Sequence, residues 1–324
     1  MSNYWQEKIK IGNQLFPRFM SAPMDGITDS PLRQLIRDFS KDELLYTEMR
    51  HIAAVAHQKD DKSLQYNPIE QPLAFQFSGN TTEFLEQSVK KVLNKKFIQI
   101  NLNAGCPAKN VVKSGSGSAL MATPELLKEI IIAMQKAING KVPFTLKIRA
   151  GFKEKNALEI ALMAQELGIA ALIIHPRTRQ EKFSGELDYE IVKKIKENLK
   201  IPVIFSGGIK TFQDAKTAYE KTGVDGFMIG QALIGEPWKL KELKDASEGK
   251  TFTVDTKTRI ECAIKHLDLN MKFYGDAGMH KLKAQLPHYI KSIDNAATIR
   301  VDLLRSQSEK EMREKLENLL KQYS

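Results

Sequence analysis

Eight short runs of apolar, β-branched and aromatic residues alternate along this chain with amphipathic helical stretches. The runs are residues 19–24, 44–49, 73–77, 97–103, 144–149, 171–175, 203–206 and 226–230. The stretches between them have recognisable ends. Ser30-Pro31 opens the first, and Asn80 with Glu83 three residues later forms a cap for the next. Thr123-Pro124-Glu125 opens another, residues 157–167 keep helical apolar spacing up to Gly168, and Thr211 with Asp214 opens the seventh. Eight strand–helix units in about 240 residues is the rhythm of a closed (β/α)8 barrel, which makes the fold class α/β, a TIM barrel. Strand order cannot be read from periodicity, so a doubly wound open sheet is the alternative.

The barrel is favoured by where the unusual residues fall. Ala22-Pro23-Met24-Asp25-Gly26 ends the first run, Gln76 the third, and Asn103 with Cys106 the fourth. Lys147 and Arg149 end the fifth, and their alternation places both on one side of the strand, where inward cations need anionic or polar partners. The sixth ends in His175-Pro176-Arg177-Thr178-Arg179, the seventh in Ser206-Gly207-Gly208, and the eighth in Gly230-Gln231. Barrel active sites lie at these strand ends, and glycine loops after the last two strands present backbone N–H groups to a phosphate. A lone Gly-Gly signifies only a turn; two such loops, with His175 and Arg179 nearby, argue for a phosphorylated cofactor. Cys106 sits between Gly105 and Pro107 just past a strand, placed for chemistry rather than packing. No Walker or Gly-x-Gly-x-x-Gly motif is present.

After Pro237-Trp238 the strand pattern stops. Residues 244–253 read as a linker, dividing a barrel domain, 1–243, from a small all-helical C-terminal domain, 244–324. Residues 260–274, 279–293, 297–304 and 310–323 read as its helices. Its centre carries Lys265, His266, Lys272, Tyr274, His280, Lys281, Lys283, His288, Tyr289 and Lys291. Cations interleaved with aromatic rings suit a phosphate backbone with some stacking, and a solvated helix face explains that stretch equally well. The net charge of +10 points the same way, towards a polyanion. No apolar run reaches membrane-span length, the first residues lack a signal-peptide pattern, and the two cysteines make no disulfide framework or zinc spacing. A cytoplasmic protein without a membrane partner or a metal is expected.

Seven words of the sequence are similar to a known family. They are Ala-Pro-Met-Asp-Gly-Ile-Thr-Asp, Asn-Ala-Gly-Cys-Pro-Ala-Lys, Gly-Ser-Ala-Leu-Met, Leu-Lys-Ile-Arg-Ala-Gly, His-Pro-Arg-Thr-Arg, Pro-Val-Ile-Phe-Ser-Gly-Gly-Ile and Met-Ile-Gly-Gln-Ala. In this order over residues 16–238 the chain resembles the tRNA-dihydrouridine synthases, and within them the bacterial B-type branch. The resemblance implies FMN in the barrel mouth, held by Pro23, Met24, Asp25, Gln76, Lys147 and His175, with Ser206, Gly207, Gly208, Gly230 and Gln231 around its phosphate. It implies Cys106 as the acid, Asn103, Arg149, Arg177 and Phe183 on the substrate, and a helical domain that grips tRNA, with Lys281 and Lys291 among its contacts. NADPH or NADH would be the reductant and the protein a monomer. Three positions depart from the family pattern: Ser206 stands where Asn is usual, Gln231 where Arg is usual, and Phe183 where many members have Tyr. The loss of that Arg removes one phosphate partner and leaves the backbone N–H groups.

The residue types suit the reaction. The uracil C5=C6 bond is conjugated to the C4 carbonyl, so it accepts hydride at C6, builds charge on O4 and takes a proton at C5. Asn103 or Arg149 near the carbonyls would stabilise that charge, and Lys147 would favour an anionic reduced flavin. An ordinary thiol, with a pKa of about 8.5, is protonated at pH 7, so Cys106 needs no activation to donate. Two other functions stay open: a flavin barrel acting on a free pyrimidine, of dihydroorotate or dihydropyrimidine type, and an RNA-binding protein whose barrel no longer catalyses. A uridine in rRNA is a further target.

Overall fold

The computed structural model describes residues 3–59, 62–291 and 293–323. Two short antiparallel strands come first, β1 (Ile9–Ile11) and β2 (Gln14–Phe16), joined through Gly12-Asn13. Eight parallel strands follow: β3 (Phe19–Ser21), β4 (Leu45–His51), β5 (Leu73–Ser78), β6 (Gln99–Ala104), β7 (Phe144–Gly151), β8 (Ala171–Thr178), β9 (Val203–Ser206) and β10 (Gly226–Ile229). Their order, β3-β10-β9-β8-β7-β6-β5-β4, is that of an almost closed barrel. Across the seam between β3 and β4, the Ser21 N–H donates to the Leu44 carbonyl at 3.1 Å and the Tyr46 N–H to Ser21 Oγ at 2.9 Å.

Period-two alternation builds the two faces. Phe75, Phe77, Ile100, Leu102, Leu146, Ile148, Leu172 and Ile174 are buried on the side opposite the barrel interior. The interior set, Met20, Tyr46, Ala74, Ala171, Ile173, Ile204 and Met228, packs together with Ile9, Ile11 and Phe16. The hairpin thus plugs the end of the barrel where the strands begin, and the chemistry is left to the other end. This hairpin has no counterpart in the sequence reading, because three-residue strands are too short to show a period.

The helices differ from expectation in four places. Asp29 caps the helix Ser30–Arg37, its Oδ1 accepting from the Leu32 N–H at 3.1 Å, so Ser30-Pro31 lies inside the first turn. Asn80 and Glu83 cap nothing: the helix Leu85–Leu93 starts after Phe84, which has φ +37° and makes no side-chain cap. The helix Lys239–Ser247 runs into the expected linker, held by a Lys241–Asp245 ion pair at 2.7 Å one turn apart. Residues 279–293 are not one helix but two, Gly278–Lys283 and Leu286–Tyr289, because Pro287 has no N–H to continue the ladder. The capping box at Thr211 and Asp214 and the helix Ala157–Glu166 stand as read.

The chain divides into two compact units that do not follow the 243/244 boundary. The barrel strands lie in the first, Met1–Met24, Asp42–Tyr66 and Gln71–Gly230. The second joins Gln231–Ser324 to Asp25–Lys41 and Asn67–Glu70. Its apolar core contains Leu35, Trp238, Ile260, Ala263, Leu267, Leu282, Leu303 and Leu316. A buried ion pair, Arg33–Glu70 at 2.7 Å, ties its early segments to each other.

His266 and Tyr289, read from the sequence as part of a basic surface, are fully buried in this unit, with His266 Nδ1 3.0 Å from the Tyr289 hydroxyl. Burial pushes the His266 pKa down to about 3 and that of the Cys262 thiol up to about 12. An unfolded imidazole takes a proton near pH 6.5 while the folded one refuses it, so stability present above that pH is lost on acidification towards pH 3. An unfolded thiol ionises from about pH 8.5 while the folded one stays neutral, so stability also falls as pH rises above that value. Wild type is expected to be most stable between these limits. His266→Phe should lose about 2 kcal/mol less than wild type between pH 7 and pH 5, read from urea midpoints.

Candidate active site

At the exit of β6 the Oδ1 of Asn103 accepts from the N–H groups of Gly105 at 3.1 Å and Cys106 at 2.8 Å, which turns the chain sharply and presents Cys106 half-buried and outside any disulfide. Two glycines leave room for this turn. A Cβ on Gly105 would lie 3.1 Å from the Ile148 carbonyl carbon of β7. One on Gly117, whose φ is +61°, would lie 2.8 Å from the Cys106 carbonyl oxygen. That oxygen accepts from the Ser118 N–H at 3.0 Å, so the loop before the short helix Lys109–Lys113 and the turn after it close on the cysteine.

Neighbouring strands bring the other groups level with it. Asn103 is in register with Lys147, Arg149 with His175, and Gln76 with Asn101. Burial, with Arg149 adding to it, pushes the Lys147 pKa down to about 8, against the upward pull of a Cys106 thiolate. Arg149 is also lowered by burial, to about 10, and so stays charged at pH 7. Its guanidinium donates from Nε to the Gly105 carbonyl at 2.8 Å, and from one terminal nitrogen to the carbonyls of Thr178 at 3.1 Å and Lys182 at 2.8 Å. Arg149 therefore fastens the cysteine loop to the loop after β8. That loop presents Phe183, 55% exposed, with its ring 5.3 Å from the Arg149 guanidinium carbon and 6.0 Å from the His175 ring. Burial and the charges of Arg149, Lys147 and Arg177 hold the His175 pKa far below its ordinary value, so the imidazole is neutral. Arg177 lies 3.3 Å from His175 Nε2 and donates from Nε to the Gly185 carbonyl.

Ser206, the last residue of β9, is buried, and Gly207 and Gly208 after it take φ +105° and +75°. A Cβ on Gly207 would sit 2.8 Å from His175 Nε2. Gly207→Ala is expected to cost about 1–3 kcal/mol of stability through backbone strain and to displace the imidazole, read by urea unfolding and by the His175 ring resonances in NMR. Gly230 lies after β10, its Cβ position 3.5 Å from the sulfur of Met24, which with Pro23 follows β3 half-buried. In the barrel unit Gln76, Asn103, Lys147, Arg149, His175, Arg177 and Ser206 lie within the strands, and Pro23, Met24, Cys106, Phe183, Gly207, Gly208 and Gly230 in the segments that follow them.

Asp25, Gln231, Lys281 and Lys291 belong to the second unit. Asp25, Gln231 and Lys281 are exposed, and Lys281 Nζ stands 5.3 Å over the Tyr274 ring. Lys291 pairs with Glu236, which Lys239 also contacts at 2.8 Å. Sequence reading missed a row of buried polar side chains beneath the mouth, namely Tyr46, Gln99, Asn101 and Thr145. The alternation of Gln99, Asn101 and Asn103 in one strand was their readable sign. Among the described residues no three His, Cys, Asp or Glu side chains cluster as a metal ion would need, and no helix is long and apolar enough to cross a membrane.

The model of the dihydrouridine synthase (Dus) family matches residues 20–324. The chain is 34% identical to the probable tRNA-dihydrouridine synthase of Rickettsia bellii, covering 90% of this chain and 91% of that one. It is 33% identical to tRNA-dihydrouridine synthase B of Pasteurella multocida, covering 88% and 87%. Its identity to the probable tRNA-dihydrouridine synthase 1 of Synechocystis sp. is 29%, over 98% and 90%. Among solved structures, a 2-naphthoyl-CoA reductase in complex with 2-naphthoyl-CoA shares the fold, with a TM-score of 0.60 and 13% identity over 77% of this chain and 53% of that one. With the family model matched over nearly its whole length, this chain belongs to the dihydrouridine synthase family of oxidoreductase enzymes, in the bacterial B-type branch.

Proposed function

We propose that this protein reduces the C5=C6 bond of uridines in tRNA to 5,6-dihydrouridine, with FMN as resident cofactor, NADPH or NADH as reductant, and Cys106 as the proton donor to C5. The observation that carries the reading is the half-buried thiol held at a strand end beside Lys147, Arg149 and His175. The residues present fit a flavin. Gly207 and Gly208 take the positive φ with which a glycine loop turns its backbone N–H groups towards a phosphate, and a Cβ on either would strike His175 at 2.8 Å or Leu187 at 2.6 Å. Lys147, the neutral His175 and the amide of Gln76 supply the mix of charge, donors and acceptors that its polar edge and phosphate require. Within the barrel unit Pro23, Met24 and Ser206 complete the set, with backbone N–H groups as donors to the phosphate. When bound, FMN supplies hydride to C6.

The chain's own side chains do the rest. Lys147, with a pKa of about 8, keeps most of its charge at pH 7 and offers it to an anionic cofactor. Arg149 keeps its second terminal nitrogen beyond the bonds described above, and Asn103 Nδ2, which donates to Gln76 Oε1 at 2.9 Å, has only the weak acceptor Met49 sulfur at 3.6 Å for its other N–H; these groups stabilise charge on the uracil carbonyls. Phe183 provides a stacking face and Arg177 a cation for a flipped-out nucleotide. The helical segment 244–324 grips the tRNA backbone, with Lys281 and Lys291 contributing charge, the latter shared with Glu236. The protein works in the cytoplasm as a monomer.

The test is incubation of the purified protein with unmodified tRNA transcript, FMN and NADPH or NADH, followed by nucleoside mass spectrometry. Dihydrouridine at defined tRNA positions is expected. Turnover of free pyrimidines or of rRNA with none of tRNA would overturn the assignment.

A further inference from the structure

The buried polar side chains beneath the mouth form a row in which the amides of Asn103, Gln76 and Asn101 each donate to the next group down, ending on Thr145. At its upper end Asn103 Oδ1 faces the N–H groups of Gly105 and Cys106, which only donate, so its carboxamide has a single orientation and its Nδ2 faces Gln76. Gln76 Oε1 accepts that N–H at 2.9 Å, and its Nε2 donates to Asn101 Oδ1 at 2.7 Å. Asn101 Nδ2 donates in turn to Thr145 Oγ1 at 2.8 Å. Gln99 Nε2 donates to the same hydroxyl at 3.0 Å and to the Tyr46 hydroxyl at 2.6 Å. Gln76, Gln99, Asn101, Thr145 and Tyr46 are all 0% exposed, so solvent does not replace a lost partner. Reversing the amide of Gln76 or Asn101 would set oxygen against oxygen or nitrogen against nitrogen between neighbouring amides.

We propose that Asn101, seated on Thr145, is a positioning residue for the reaction: it fixes the amide of Gln76 and, through Gln76 and Asn103, the backbone that carries Cys106. Asn101 lies one inward-facing row deeper than Asn103, in register with Thr145 as Asn103 is with Lys147. The role in catalysis rests on the reading of Cys106 as proton donor; the role in holding the loop does not.

Two substitutions separate polarity from bulk. Asn101→Asp keeps an oxygen towards Gln76 and can accept from the Thr145 hydroxyl, which rotates to donate. Asn101→Leu has nearly the same shape and offers Gln76 nothing. The first readout is the rate of Cys106 alkylation by iodoacetamide, located by peptide mass spectrometry, with Asn103→Ala as the reference for a released loop. Asn103→Ala and Asn101→Leu should both speed alkylation by roughly threefold or more, and Asn101→Asp should stay within about twofold of wild type. The second readout is turnover on tRNA, where Asn101→Leu should lower kcat roughly tenfold or more with KM nearly unchanged, and Asn101→Asp should restore it. Wild-type alkylation in Asn101→Leu or in Asn103→Ala, or an aspartate variant that behaves like the leucine one, would overturn the proposal. A wild-type protein that fails on tRNA would sink the functional reading alone, since the alkylation series would still report on the loop.

Discussion

Cys106→Ala is expected to lower kcat for uridine reduction by about 10²–10⁴-fold, the usual contribution of a positioned general acid, with KM for tRNA nearly unchanged. Two contacts that shape the loop use the backbone of residue 106. Its N–H donates to Asn103 Oδ1 and its carbonyl accepts from the Ser118 N–H, and both survive in alanine. Arg149 likewise grips the neighbouring Gly105 carbonyl rather than the thiol. What disappears is the thiol proton, so under the proposed function the loss falls on the protonation of C5. Steady-state rates on a tRNA transcript, with binding measured separately, check it. A variant with more than about a tenth of wild-type kcat would mean that another group or water supplies the proton.

Glu70→Gln is expected to remove about 3–5 kcal/mol of stability from the unit that contains it, because it breaks a buried ion pair and leaves Arg33 charged and enclosed. Glu70 is fully buried. One carboxylate oxygen accepts from Arg33 Nε at 2.7 Å, and the other from Ser30 Oγ at 2.5 Å and the Asn67 N–H at 2.6 Å. Its carbonyl accepts from Arg37 at 3.0 Å. These bonds join Asp25–Lys41 to Asn67–Glu70. Arg33→Met added to Glu70→Gln removes the stranded charge and should recover about half of the loss or more. The chain has two tryptophans, Trp5 and Trp238, so in a Trp5→Phe background the fluorescence of Trp238 follows this unit through a urea titration. A single variant shifted by less than about 1 kcal/mol would place the pair among weak, solvated ones.

The barrel was legible because its strands are buried on both faces and end in polar residues. Strand β7 illustrates this: Phe144, Leu146 and Ile148 face one way while Thr145, Lys147 and Arg149 face the other. The site followed from the same alternation, since a strand that carries inward Lys and Arg needs something for them to hold. Arg149 shows the limit of that logic. Its three backbone partners, Gly105, Thr178 and Lys182, are more than 25 residues away in sequence, and no local pattern encodes them. The grouping of Asp25–Lys41 with the C-terminal helices was hidden for the same reason, since it depends on contacts such as Lys265–Asp38 at 2.6 Å and Tyr274–Asp29 at 3.0 Å, between residues far apart in sequence. His266 was misread as surface because its basic ring drew attention away from its spacing. Ala263, Leu267 and Asn270 share its helix face and are buried with it.

The most direct test of the central claim is nucleoside analysis of total RNA from cells lacking this protein, before and after restoring wild type or Cys106→Ala. Loss of dihydrouridine from defined tRNA positions, restored by wild type and not by Cys106→Ala, is the predicted result. Dihydrouridine unchanged in every RNA class, in cells with no second enzyme of this family, would contradict it.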